Sequence, residues 1–308
     1  MPGPTDDPRQ LLGGIATIMA TVFAMALADA IVKYSSSEMT LWQIWVLRSL
    51  IVVPILAVVG HGRISSQVFG WVLLRSLALV LMYLGIYAAL PLLDLSVVAA
   101  SLYTAPLFIT ALSAIVLHEP VGGRHWLAIA IGFAGVLLIV RPATAAFTPL
   151  ALIPASAALL YAIAAVITRM KCAAVPARIL ALWLNLTLLA CGGAASLLIL
   201  VTGPFVETSY PFLFATWQPV SRADWQVTMV LSALMIGIGV GLAKAYKSPR
   251  PQVIAAFDYS FLIFASFWGY VFFGEVPQIW AALGMVLIAG SGILILAAEK
   301  ASSREPIR

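Results

Sequence analysis

Charge is scarce in this chain. Only 9% of its 308 residues are Asp, Glu, Lys or Arg, against about 25% in soluble domains, which excludes water as its main solvent. Cysteine and histidine are scarcer still, at two and three residues. Cys172 and Cys191 show no metal-ligand spacing and read as small buried hydrophobes, so no metal or cofactor is expected. Catalytic signatures are missing too. There is no HExxH, no Gly-x-Gly-Asp and no phosphate loop ending in Gly-Lys-Ser/Thr, and His61, His118 and His125 all fall near loops, which argues against an intramembrane enzyme. Nor is there a selectivity-type sequence or a sizeable soluble module to support a channel or scaffold. The net charge of +5 is scattered singly or in twos and threes between apolar runs, with no basic face to follow a nucleic-acid backbone.

What is abundant is apolar surface. Hydrophobic residues make up 63% of the chain and the mean hydropathy is +1.06. They come in stretches of roughly twenty residues, each enough to cross about 30 Å of hydrocarbon as a helix. In lipid every backbone amide must find its partner within such a segment, and the alternating pattern of a membrane barrel is absent, so an all-α membrane protein is expected. Ten spans are expected at 12–33, 40–60, 68–90, 96–117, 124–140, 148–169, 178–202, 226–246, 252–273 and 277–297. Met1 to Gln10 is polar and carries Arg9, but the apolar run after it exceeds twenty residues without a small-residue cleavage site. That favours a first spanning helix over a removed signal peptide.

The connections are mostly short and hold turn residues such as Gly60-His61-Gly62, His118-Glu119-Pro120, Arg141-Pro142 and Ser248-Pro249-Arg250-Pro251, so sequential helices should run antiparallel. The longer one, about 203–225, is rich in aromatics and proline and is expected on the outer surface. With the N-terminus inside, twelve basic residues fall on the inner side and only Lys33, Arg141 and Arg222 on the outer, which sets both termini in the cytoplasm of a bacterial-type inner membrane. Trp42, Trp71, Trp126, Trp217, Trp225 and Trp280 lie near the proposed boundaries, where interfacial anchors belong.

Sliding the chain against itself by 156 residues sets Val97 on Val253, Ala99 on Ala255, Ala100 on Ala256, Tyr103 on Tyr259, Phe108 on Phe264 and Glu119 on Glu275. Both stretches are an apolar helix, a Glu turn and a further apolar helix opening near Trp126 or Trp280. Two five-helix repeats are therefore expected, 12–141 and 148–297, flanked by cytoplasmic tails 1–11 and 298–308. Because five is odd, the second repeat should be inverted relative to the first, the arrangement that lets a carrier alternate between two openings.

These residues resemble a known family. Ala255-Ala256-Phe257-Asp258-Tyr259-Ser260, Phe273-Gly274-Glu275-Val276-Pro277 and Gly284 to Gly290 resemble the closing signature of the EamA-like ten-helix carriers of the drug/metabolite transporter superfamily. Val98 to Thr110, Leu117-His118-Glu119-Pro120 and Trp126 to Val136 are similar to the earlier copy. Asp29 to Tyr34 and Leu47-Arg48-Ser49-Leu50 look like the first two helices of that family. The resemblance implies two inverted halves around a central cavity, transport without ATP or metal, and a small-molecule substrate. Exporters of amino-acid-like metabolites and uptake systems for vitamins or adenosyl compounds are both known in the family, and the first is expected here, for an amino-acid-like or opine-like compound. The oligomeric state is left open between monomer and homodimer.

Ionised groups inside spans are functional candidates because each costs several kcal/mol unless paired or wetted. Arg48 falls in the second span, Arg75 in the third, Asp258 in the ninth and Asp29 toward the end of the first. Their mixed signs suit a zwitterionic substrate. The structural alternative pairs Arg48 with an aspartate and lets Arg75 snorkel to the inner surface. Asp29 and Lys33, at i and i+4, read either as a local ion pair or as the coupling or gating groups of an outer mouth. Any proton coupling is expected to pass through Asp29 or Asp258. Tyr103, Tyr259 and Asn185 are expected to line the substrate site or to be satisfied by helix packing. Pro54, Pro106 and Pro154 are expected to bend spans, and the glycines at 237, 239, 241, 284, 290 and 292 to allow close helix packing or hinging.

Overall fold

The computed structural model describes residues 8–59, 66–116, 123–140, 149–203, 210–245 and 251–302. The turns at Gly60-His61-Gly62, His118-Glu119-Pro120, Arg141-Pro142 and Ser248-Pro249-Arg250 lie outside the described residues. Among those described, every element is helical. In chain order they are α1 (Pro8–Ser35), α2 (Leu41–Val59), α3 (Ser66–Ala89), α4 (Leu95–Leu102), α5 (Ala105–Val116), α6 (Gly123–Val140), α7 (Leu152–Lys171), α8 (Ala177–Thr202), α9 (Pro211–Phe214), α10 (Arg222–Ala245), α11 (Pro251–Asp258), α12 (Phe261–Phe273) and α13 (Ile279–Ser302). A single 3-10 turn, Pro149–Ala151, leads into α7.

Among the described residues, seven apolar helical segments are long enough to cross a bilayer, and three shorter ones, Trp126–Ile139, Phe261–Phe273 and Ile279–Leu294, accompany them. Two of the ten expected spans are corrected in one respect, because each is two helices. The chain breaks at Tyr103-Thr104 between α4 and α5, and at Tyr259-Ser260 between α11 and α12. Both breaks carry the same side-chain bond, one that Ser156 in α7 and Ser291 in α13 also make without a break. Thr104 Oγ1 donates to the Ser101 carbonyl at 2.6 Å, and Ser260 Oγ to the Phe257 carbonyl at 2.7 Å. A hydroxyl that takes the carbonyl three residues back competes with the helical ladder. In each case the backbone tightens locally, with Leu107 donating to Thr104 and Ile263 to Ser260, both at 3.0 Å. Those two bonds are 156 residues apart, as are both ends of α3 and α10, both ends of α4 and α11, and the first residues of α5 and α12 and of α6 and α13.

The prolines need a second correction. Only Pro54 sits inside a helix. Pro106 and Pro154 fall in the first turns of α5 and α7, where a missing N–H leaves no ladder bond unmade.

The chain divides into two compact units, each drawing helices from both halves. The first comprises α1 as far as Ala30, α4 to α6, α10 from Leu234 onward, and α11 to α13; the second comprises the end of α1 from Ile31, α2, α3, α7 to α9, and α10 as far as Ala233.

In the first unit α6 and α13 approach at glycines. A Cβ added at Gly135 would lie 2.8 Å from the Gly284 carbonyl oxygen, and one added at Gly284 would lie 2.6 Å from that of Gly135. Gly292 leaves room for the Tyr259 ring, and Gly241 sits against Thr21. Gly237, Gly239 and Gly290, expected at close contacts, have nothing within 4 Å.

In the second unit α3 packs on α7, where a Cβ added at Gly85 would lie 3.2 Å from that of Ala157. On α8, Gly192 admits Trp42, Trp45 and Val46 of α2. The segment from Tyr210 to Gln218 is tied down. Trp42 Nε1 donates to the Leu213 carbonyl at 2.7 Å, and Gln43 both donates to the Gln218 carbonyl at 2.8 Å and accepts from its N–H at 3.2 Å. Tyr210 donates to the Ala88 carbonyl, and Phe212 is buried. The expected surface connection is therefore a strap bonded to helix ends, and α10 begins at Arg222, four residues earlier than the expected 226.

Candidate functional site

The ionised candidates separate by sign. Asp29, Asp258, Tyr103 and Tyr259 belong to the first unit; Lys33, Arg48, Arg75 and Asn185 belong to the second.

In the first unit the two helix breaks bring the repeat-related tyrosines together. Their ring centroids are 5.3 Å apart in an edge-on arrangement, and Tyr103 also stacks on Phe261 at 5.2 Å. Tyr103 Oη donates to the Asp258 main-chain oxygen at 3.1 Å, so Tyr103 joins the carbonyl end of α11 to the end of α4. Asp258 itself is half-buried at the last position of α11. Asp29 is half-buried on α1. A residue that the sequence marked only as part of a turn proves structural here. Glu275 Oε2 accepts the Leu95 N–H at 2.7 Å and so caps the first turn of α4. A carboxylate suits that position because a helix N-terminus carries unpaired N–H groups and a positive dipole end. Asp94, the residue before that helix, makes no cap bond with its own side chain.

In the second unit Lys33 Nζ donates to the Leu93 carbonyl at 2.6 Å. Arg48 is 3% exposed, and its Nε and Nη2 are buried without a hydrogen-bond partner. Arg75 does not stretch away along its helix. Its Nε donates sideways to Thr168 Oγ1 on α7 at 2.7 Å, Thr168 donates on to the Ala164 carbonyl at 2.6 Å, and Nη1 is buried and unpartnered. Asn185 donates to the Ala181 carbonyl at 2.9 Å, while its Oδ1 is buried and unpartnered.

Helix register places Arg48, Arg75 and Asn185 at one level along their helices. Trp217 Nε1 donates to Ser196 Oγ of α8 at 2.8 Å while its neighbour Gln218 pairs with Gln43 in the first turn of α2, so the later part of α8 lies by the start of α2 and the two run antiparallel. Asn185 lies seven residues before Gly192, about two turns, and therefore shares its α2-facing side. That sets it level with Ser49 to Val53. On α3, Gly85 meets Ile153 and Ala157 whereas Arg75 meets Thr168, so α3 runs antiparallel to α7. The short turn between α7 and α8 then makes α3 and α8 parallel. Val72 packs with Leu180, so Ser76, one turn further along the same face, falls beside Leu184 and Asn185.

Ser49 and Ser76 were missed by the sequence reading. Both are fully buried, and neither hydroxyl has a partner. The signal was present: Leu-Arg-Ser-Leu occurs twice, at 47–50 and 74–77. An unpaired buried polar atom costs about 1–3 kcal/mol, more when charged. A cluster of them marks a place that a purely structural bundle would fill with apolar side chains.

Residues 12–141 match the EamA-like transporter family. A riboflavin transporter of Vibrio cholerae is 27% identical over 313 residues, 95% of this chain and 96% of that protein. An S-adenosylmethionine uptake transporter of Rickettsia prowazekii is 22% identical, covering 96% and 97%. The pseudopaline exporter CntI of Pseudomonas aeruginosa is 23% identical, covering 94% and 98%. A solved crystal structure shares the fold at a TM-score of 0.58 and 21% identity, over 96% of this chain and 99% of its own.

Proposed function

We propose that the chain, whose residues 12–141 match the EamA-like transporter family and whose relatives over nearly its full length are transporters, is a member of the drug/metabolite transporter superfamily that carries a small polar metabolite across the bacterial cytoplasmic membrane, exporting an amino-acid-like or opine-like compound. It is a multi-pass membrane transporter and not an enzyme. The observation that carries the substrate reading is Arg48, a cation on a spanning helix, 3% exposed, with two guanidinium nitrogens unpartnered. Such a group is retained at a cost to stability when it serves a ligand. The exporter of pseudopaline among the relatives supports the direction.

A second reading, uptake of a ring-bearing vitamin or adenosyl compound, is favoured by the riboflavin and S-adenosylmethionine relatives. The half-buried Tyr103 and Tyr259 rings would offer a flat substrate an aromatic surface.

With no nucleotide-binding motif in the sequence, transport runs on the substrate gradient or on a coupled ion. Proton coupling is assigned to Asp29 or Asp258 and the outer gate to Lys33, with both termini in the cytoplasm. Vesicles loaded with radiolabelled amino acids, riboflavin or S-adenosylmethionine test the reading. Net efflux of an amino-acid-like compound supports export, accumulation of riboflavin or S-adenosylmethionine supports uptake, and flux of neither defeats both. pH-dependent flux that survives replacement of Asp29 and Asp258 by Asn removes the coupling assignment.

A further inference from the structure

The packed helices α2, α3, α7 and α8 contain no Asp or Glu. Elsewhere in their unit the acidic residues among those described are Glu38, in the turn before α2, and Asp224, in the first turn of α10. Arg48 and Arg75 thus place two cations in spanning helices of a unit whose described carboxylates are Glu38, in a turn, and Asp224, at the very start of α10. Asp29 and Asp258, which made a zwitterionic substrate attractive, belong to the other unit.

The unpartnered nitrogens have a defined shape. Nε and Nη2 form one edge of a guanidinium, with parallel N–H bonds spaced to meet both oxygens of a carboxylate or phosphate. In Arg48 both are buried and unpartnered. Arg75 commits its Nε to Thr168 and keeps Nη1. Each arginine is followed by a fully buried serine, Ser49 or Ser76, and α8 presents Asn185 Oδ1 at the same level.

We propose that this doubled Arg-Ser layer is a binding site for a small anion, its two-oxygen head seated on the Nε/Nη2 edge of Arg48. Ser49 Oγ, next to Arg48 on α2, supplies a further donor, and Asn185 Oδ1 on the adjoining α8 accepts from an N–H or O–H beside the anionic head. The site deepens the carrier reading and rests on it, naming the charge of the substrate without depending on the direction of transport. Carboxylate and phosphate share the required chemistry.

The test heats the purified full-length protein with glutamate, succinate or inorganic phosphate, and with adenosine and nicotinamide as uncharged controls. An anion should raise the melting temperature. Arg48→Met should raise the concentration needed for that protection by at least about ten-fold, and Arg48→Lys, which keeps the charge but not the fork, should restore little of it. Protection by glutamate or succinate alone assigns a carboxylate head; protection by phosphate alone assigns a phosphate. A second measurement needs no ligand. Unliganded Arg48→Met should melt at or above the temperature of the unsubstituted protein, since it loses a buried charge that nothing compensates. Protection by the uncharged controls alone, protection that survives Arg48→Met, protection by none of the five compounds, or a lower-melting Arg48→Met overturns the site. Failure of the carrier reading is separate. Anion protection without flux in vesicles defeats the carrier and leaves the site, whereas flux of an uncharged compound that survives Arg48→Met defeats the site and leaves the carrier.

Discussion

In the unit built on α4 to α6 and α11 to α13, polar groups near the helix breaks and ends are largely answered from within. Glu275 caps α4, Tyr103 holds the end of α11, and the hydroxyls of Thr104 and Ser260 take carbonyls of their own chain. Ser96 Oγ and Trp268 Nε1 are the buried exceptions there. In the unit built on α2, α3, α7 and α8, more groups go unanswered: Arg48, Ser49, Arg75, Ser76 and Asn185 at one level, with Ser35 Oγ and Trp45 Nε1 apart from them. Both units bring helices together at glycine, at Gly135 and Gly284 in the first and at Gly85 and Gly192 in the second. The contrast teaches that packing economy and chemical availability are separated in this molecule. One unit answers most of its buried polar groups from within, and the other leaves two guanidinium groups partly unanswered.

The contrast is broken most severely at Arg48. Arg48→Ala should lower transport at least about a hundred-fold, the scale set by losing a bidentate charged contact of roughly 3 kcal/mol, while membrane insertion stays normal by fractionation. Ordinary flux in that variant would return Arg48 to a structural role. The opposite behaviour is expected at the glycine seam. Gly284→Val drives a side chain into the Gly135 carbonyl and should cost about 1–3 kcal/mol, seen as a lower melting temperature, with substrate affinity kept in whatever fraction remains folded. An unchanged melting temperature would mean that the α6–α13 seam is looser than the 2.6 Å approach implies.

Smaller effects sharpen the comparison. Glu275→Ala strips the cap from α4 and should cost about 0.5–2 kcal/mol, with Glu275→Gln recovering part because it keeps an acceptor. Equal loss in both variants would point to the charge and not to the hydrogen bond. The least effect concerns the strap. Burial pushes the Tyr210 hydroxyl up from 10.0 to about 12. The folded value exceeds the unfolded one, so its contribution is fully present below pH 10 and is lost as the pH rises toward 12. Tyr210→Phe should therefore flatten the alkaline side of the stability curve, checked by melting between pH 8 and 11; an unaltered slope removes Tyr210 from that role.

Much of the fold was legible beforehand because transfer into lipid is a local, roughly additive property of a segment. The ten apolar stretches were placed to within a few residues, and the offset of 156 reappears in the ends of α3 and α10 and in the matched breaks. The breaks themselves were invisible to hydropathy. The local switch in backbone bonding, Leu107 N–H to the Thr104 carbonyl and Ile263 N–H to the Ser260 carbonyl, leaves apolar content unchanged. Pro106 misled for a related reason, since its effect depends on whether it stands inside a helix or in its first turn. Among the candidate residues, Arg48, Arg75 and Asn185 were marked by type and depth, whereas Ser49 and Ser76 looked like ordinary small residues beside them.

The sequence alone determined that this is a helical membrane protein with an internal duplication and very few ionised groups within its spans. Tertiary structure decided which of those groups are satisfied. It bound Arg75 to Thr168, left the Nε/Nη2 edge of Arg48 unpartnered, gave Glu275 to the start of α4 and set Tyr103 against Tyr259. The physical reason is one of range. The cost of crossing lipid accrues residue by residue along the chain, but a hydrogen-bond partner is chosen from whatever helix packs alongside, and that neighbour can be 180 positions away, as Glu275 is from Leu95.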